Sequence, residues 1–66
     1  MSVAKVTEIT SSSKKSFEDA IEKGINRASK TLANIEGAWV KDMKVRCKNG
    51  KVDEYRVTMK VSFVLN

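Results

Sequence analysis

The sequence predicts an α+β protomer of order β-α-β-β, with one helix packed on a three-stranded antiparallel sheet. Three observations lead there: an amphipathic stretch from Phe17 to Leu32, an Asn49-Gly50 pair between two runs of strand residues, and an alternating segment at Val3 to Thr10. The chain has 66 residues, and a core of that size rarely supplies more than about 3 to 5 kcal/mol. Disulfides, a structural metal or oligomerisation normally add to it. One Cys and no His leave self-association as the expected supplement.

The first strand has the weakest pattern. Polar and apolar residues alternate over Val3 to Thr10, as they do in a half-buried strand, and the segment is expected to pair with the long third strand. It lacks the apolar core of a signal peptide, and no run approaches the roughly 18 apolar residues of a membrane span. A single unpaired Cys47 fits a reducing compartment. A soluble, cytoplasmic protein is therefore expected, with residues 1–66 forming one domain.

Phe17, Ala20, Ile21, Gly24, Ile25, Ala28, Thr31, Leu32 and Ile35 recur at spacings of three and four, while charged and amide side chains fill the opposite face. That pattern is a helix with one buried stripe. Ser16, with Asp19 three residues later, predicts a cap at Ser16 and a helix beginning at Phe17. Gly24 and Ala28 fall on the buried stripe, so the sheet is expected to approach closely there. Ala at position 24 would gain helix propensity yet collide with the sheet.

Asn49-Gly50 separates Ala38–Lys48 from Val52–Leu65, a strong hairpin signal. A two-residue turn places Cys47 opposite Val52 and, by parity, puts Trp39, Met43 and Val45 on the face opposite to Tyr55, Val57, Met59, Val61 and Phe63. A three-residue loop, Lys48-Asn49-Gly50, restores one shared apolar face. That register sets Met43 opposite Tyr55, Lys41 opposite Val57 and Trp39 opposite Met59. It also sets Lys44 against Glu54 and Asp42 against Arg56. The remaining face is expected to mix Arg46, Glu54, Arg56, Thr58 and Lys60 with Val40 and Val52, a surface suited to subunit contacts.

The formal net charge is +5. Lys44, Arg46, Lys48 and Lys51 crowd the hairpin with no carboxylate between Met43 and Val52, which raises electrostatic binding of nucleic acid or small anions as one function class. No helix-turn-helix pattern and no alternation of aromatics with these cations exists, so base-specific recognition is not expected. Glu8, Asp53 and Glu54 are candidates for cations along symmetry axes of an assembly. Without His, no partner is available to activate Cys47, which reads as a small filler near the hairpin end. No paired-carboxylate spacing stands out, and the sequence does not read as an enzyme.

The blocks Ser16-Phe17-Glu18-Asp19-Ala20-Ile21, Arg27-Ala28-Ser29-Lys30-Thr31-Leu32 with Asn34-Ile35, and Tyr55-Arg56-Val57-Thr58-Met59-Lys60-Val61 with Phe63 resemble the dodecin family. The likeness spans residues 3 to 65. It implies a hollow dodecamer of cubic symmetry that binds flavins such as FMN or riboflavin at subunit interfaces, as a storage or quenching protein without turnover. In flavin-binding members a Trp follows the segment matching Asn34-Ile35-Glu36 and stacks on the ring; here that position is Gly37. Trp39, two positions on and facing the same side, is the candidate substitute, with filling of the sheet core or a subunit contact as its other reading. A Gln that those members use for the pyrimidine edge corresponds to Arg56, which is a donor only. Trp39 and Arg56 are thus the candidate flavin contacts, and Arg46 and Glu54 the candidate ion or anion contacts. A shell that has lost the flavin site and binds ions or small anions is the alternative.

Overall fold

The computed structural model describes residues 3–65. Strand β1 covers Val3–Ser13, helix α1 Phe17–Ser29, strand β2 Ile35–Lys48 and strand β3 Lys51–Leu65. The sheet order is β1-β3-β2, antiparallel at both joins. The β-α-β-β order and the pairing of the first strand with the third are as the sequence predicts. β1 extends three residues past Thr10, its last pair being Ser13 with Tyr55.

Helix α1 starts where its cap predicts. The Asp19 backbone N–H donates to Ser16 Oγ at 2.9 Å, and Glu18 and Asp19 sit in the first turn, where the helix dipole favours negative charge. The helix ends at Ser29, short of the expected Leu32. Ser29 Oγ donates to the Asn26 carbonyl at 2.7 Å and Thr31 Oγ1 to that of Ala28 at 3.4 Å, so hydroxyls take up carbonyls of the final turn. Asn34 then turns the chain at φ 60°, and its carbonyl accepts from the Val64 N–H at 3.1 Å. That bond leads β2 into the sheet at Ile35.

The hairpin departs from the expected one. The turn has two residues, Asn49 (φ 54°) and Gly50 (φ 74°), the left-handed pair that matches strand twist, and Lys48 pairs with Lys51 and Cys47 with Val52. Parity is restored in the strands instead of in the loop. An irregularity between Arg46 and Cys47 leaves Asp53 as the extra residue of β3, so Val45 comes opposite Tyr55 and Met43 opposite Val57. A second, at Lys41, brings Val40 opposite Met59 and Trp39 opposite Lys60, and a third, at Glu36, brings Ile35 opposite Phe63. Each bulge moves the ladder by one residue and therefore exchanges faces. The expected pairs of Met43 with Tyr55, Lys41 with Val57, Trp39 with Met59, Lys44 with Glu54 and Asp42 with Arg56 are thereby corrected. Lys44 stands opposite Arg56, and Asp42 opposite Thr58.

By register and alternation, Val57, Met59, Val61 and Phe63 face the helix, with Val45, Met43, Val40 and Ala38 beside them on β2 and Ile9 and Ser11 on β1. Val57, Met59, Val61 and Ala20 are fully buried. Ile9, Phe17, Ile21 and Ile25 pack against this core, and Phe17 meets the Tyr55 ring edge-on at 5.1 Å. A 13-residue helix is about 20 Å long and a 15-residue strand about 50 Å. The helix contacts β1 and β3. β2 has no helix over it: apart from half-buried Ile35, every residue of β2 is exposed. Val40 and Val52 therefore belong to the apolar face, not to the charged one, and Cys47 is exposed instead of filling space.

Candidate functional site

The outer sheet face, turned away from the helix, holds the sequence-predicted site residues. Trp39 lies there opposite Lys60 and is 51% exposed, which corrects the reading in which it fills the core. Gly37 shares that face, opposite Ser62, whose hydroxyl donates to the Gly37 carbonyl at 3.3 Å. A Cβ built at position 37 meets nothing within 4 Å. Beside the indole the sheet surface is therefore open.

Arg56 is also on the outer face, but nearer the hairpin. From Arg56 to Lys60, the partner of Trp39, is four residues of β3, about 13 Å. Arg56 Nε donates to Glu54 Oε1 at 3.0 Å, and Arg46 stands opposite Glu54 in the ladder. Arg46, Glu54 and Arg56 are thus brought together, while Trp39 stands apart from them. The Arg56 hydrogen bond, opposed in part by burial and reinforced by the charges of Arg56 and Arg46, holds the Glu54 carboxyl below the ordinary carboxylate range.

Lys60 as the neighbour of Trp39 was hidden in the sequence, because the bulge at Lys41 decides which face Trp39 joins. Lys41 itself, the extra residue there, reaches Glu8 of β1 at 3.2 Å. Asp53 pairs with Lys14 at 3.9 Å. The three acids proposed for cations, Glu8, Asp53 and Glu54, are therefore each engaged separately. Among the described residues no group of three or more His, Cys, Asp or Glu is placed to hold a metal ion.

The concave surfaces lie elsewhere. A groove of about 670 Å³ runs between α1 and β1, lined by Thr7, Ile9, Ser11, Lys23 and Arg27 among others. A smaller one, about 330 Å³, sits at Ser13, Lys15 and Glu54. Neither is lined by Trp39, whose surroundings on one protomer are flat and open. Among the described residues no helix is long and apolar enough to cross a membrane.

The fold defines the class: a small β-α-β-β protomer with its helix on one sheet face and a bare edge strand. The sequence matches the Dodecin family model over residues 3–66, and the chain belongs to the dodecin family. Among solved structures it is similar to dodecin from Streptomyces davaonensis, at 37% identity, covering 98% of this chain and 96% of that one, with a TM-score of 0.94. It is similar to a point variant of Thermus thermophilus dodecin at 32% identity, covering 100% and 98%, with a TM-score of 0.95. It is also similar to a calcium-chelating immunodominant antigen of Mycobacterium tuberculosis, described as a calcium dodecin with a novel calcium-binding site. That likeness is 31% identity over 97% of this chain and 91% of the other, with a TM-score of 0.84. No curated protein matches the sequence.

Proposed function

We propose that this chain, acting as one domain over residues 1–66, assembles into a hollow homododecamer that binds and sequesters a flavin, riboflavin or FMN, in the cytoplasm without turnover. The observation that carries the reading is the half-exposed Trp39 indole on an open sheet face beside Gly37, in a member of the dodecin family. An indole face is a stacking platform for a planar heteroaromatic ring, and stacking of this kind contributes about 1 to 3 kcal/mol per ring for nucleobases. A flat face encloses nothing alone, so the second wall of such a site comes from another copy. Exposed Val40, Met43 and Val45, on the opposite face of β2, supply apolar surface for further contacts between copies.

Arg56 offers donors only. Glu54, fixed against it at 3.0 Å, places an acceptor beside those donors, and together they present both kinds of group to the polar edge of a ring. A ligand shared by Trp39 and Arg56 spans the gap between them or takes the two from different copies.

Titration of riboflavin and FMN into the purified protein, followed by flavin fluorescence, tests the reading. Quenching that saturates at a fixed ratio of flavin to protomer supports it, and unchanged fluorescence at micromolar protein overturns it. Trp39→Ala is expected to weaken binding about tenfold to a hundredfold, the equivalent of removing one stacked ring, with the assembly mass unchanged. Full assembly with unaltered affinity would remove Trp39 as the stacking residue. Gly37→Trp is expected to tighten binding, since its side chain enters open space.

A second reading, a shell that binds ions or small anions through Arg46 and Glu54, is favoured by the likeness to the calcium dodecin. Calorimetric titration with calcium on flavin-free protein separates the two, and loss of the heat in Glu54→Gln identifies the residue.

A further inference from the structure

Trp39 has an uncommitted cation beside it. The ladder sets Glu8, Lys60 and Trp39 in one row across β1, β3 and β2 on the outer face. Side chains paired directly across neighbouring strands have Cβ atoms about 5 Å apart, so the flexible four-carbon stem of Lys60 brings its ammonium within reach of the indole edge. Lys60 is half-buried, and among the described residues it has no ion-pair partner.

The other polar groups around the indole are engaged. Lys41 Nζ meets Glu8 Oε1 at 3.2 Å, the Thr10 and Thr58 hydroxyls meet at 3.3 Å, and the Ser62 hydroxyl donates to the Gly37 carbonyl. Asp42, one row nearer the hairpin and opposite Thr58, is an uncommitted acid. Lys44 and Arg56 face each other one row beyond it, about 13 Å along the strands from Lys60.

The inference rests on the flavin reading of this face and adds a ligand class to it. Riboflavin and FMN present the same ring to an indole, so stacking on Trp39 does not tell them apart. The oxidised ring is neutral at neutral pH, whereas a phosphate monoester carries a charge of about −1.5 to −2. We propose that Lys60 is the specificity-determining residue of the site: its ammonium takes the tail phosphate of a flavin stacked on Trp39 and makes the phosphorylated flavin the preferred ligand. Asp42 repels a phosphate, so the tail lies along Lys60 and away from the hairpin. When a second copy closes over the ring, Lys60 is enclosed with the ligand, and an enclosed ammonium needs an anionic partner. Glu8, across from it on β1, is held by Lys41, which leaves the ligand to supply the anion.

The test compares dissociation constants of FMN and riboflavin for the assembled protein, from flavin fluorescence at low salt. FMN is expected to bind about fivefold to tenfold more tightly, as one partly screened charge-assisted contact would give. Lys60→Gln is expected to erase that difference by weakening FMN alone, Lys60→Arg to keep it, and Asp42→Asn to widen it about twofold. Lys30→Gln, at the end of α1, removes the same charge and is expected to leave both affinities as they are. Assembly mass is measured for each variant. If Lys60→Gln misassembles, salt takes its place: between about 50 and 500 mM the preference is expected to shrink severalfold while riboflavin affinity holds. Equal affinities in the unmodified protein, a preference that survives Lys60→Gln or high salt, or equal loss of both flavins in that variant overturns the proposal and leaves the flavin reading standing. Quenching of neither flavin overturns the flavin reading and this inference with it.

Discussion

Gly24 shows how one residue type can answer to two elements at once. On the exposed face of a helix, Ala would be preferred over Gly by roughly 1 kcal/mol. At position 24 an added Cβ would lie 2.7 Å from Met59 Cε and 2.9 Å from Ser11 Cβ. Met59 is the end of a flexible chain but is fully buried, and the Ser11 Cβ is fixed to the backbone of β1, so neither moves freely. Overpacking of this kind costs about 1 to 3 kcal/mol. Gly24→Ala is expected to lower stability by about 1 kcal/mol net despite its better propensity, read as a lower denaturant midpoint at fixed protein concentration. A midpoint that rises would show that the helix slides outward to accept the methyl group. Asp19 is a second such residue: its carboxylate accepts from Ser13 Oγ and meets Lys23 Nζ at 3.2 Å. These interactions, the Ser13 hydroxyl foremost, hold its carboxyl below the ordinary range.

At the scale of elements, the hairpin carries its register in bulges. Asp53 is the extra residue between the Cys47–Val52 and Arg46–Glu54 pairs. Its removal leaves Val52 and Glu54 as neighbours on alternate faces, while every pair from Arg46 with Glu54 onward stays as it is. Deletion of Asp53 is therefore expected to give a folded protein of unchanged assembly mass, with a straighter hairpin and Lys14 freed from its exposed ion pair. Deleting Lys41 instead removes the residue that bonds Glu8 at 3.2 Å, while Val40–Met59 and Asp42–Thr58 become adjacent pairs. Comparison of the two deletions by circular dichroism and mass measurement tests whether bulges or the turn set the register. Unfolding of the Asp53 deletion would show that the bulge is needed for more than parity.

The whole molecule is a sheet about two and a half times as long as the helix that covers it, with principal extents of 52 × 19 × 13 Å. β2 has its apolar side chains in water, which a stable protein of this size avoids by association. Its acid response follows from Asp19 and Glu54. Both titrate lower in the folded protein than in the unfolded chain. Around their ordinary pKa, about 4, the unfolded chain therefore binds more protons and stability rises with pH. The contribution is complete above that value and is lost as pH falls through the lower, folded values. Denaturation midpoints measured from pH 6 down to 3 should decline, and Asp19→Asn should flatten that decline. An acid limb of the same steepness in the variant would place the linkage on other groups.

The local signals were legible because they act within a few residues: the Ser16 cap, the buried stripe of Ala20, Gly24 and Ala28, the place of the hairpin at Asn49-Gly50, though not its loop length, and the three strands are all written in near neighbours along the chain. The family likeness was legible for the same reason, in short blocks of residues. What the sequence left open was parity across the hairpin. The facing of Trp39 depends on bulges at Asp53 and Lys41, and a bulge has no residue signature of its own; it is set by the competing demands of placing Val40, Met43 and Val45 on the apolar face shared with β3 while keeping a two-residue turn. The helix end was hidden likewise, because the hydroxyls of Ser29 and Thr31 compete with a propensity pattern that runs on to Leu32. Sequence thus determined the elements, their order and the chemistry available, whereas tertiary structure decided which face each side chain joins, since the burial that selects a face is shared between strands and belongs to no single one.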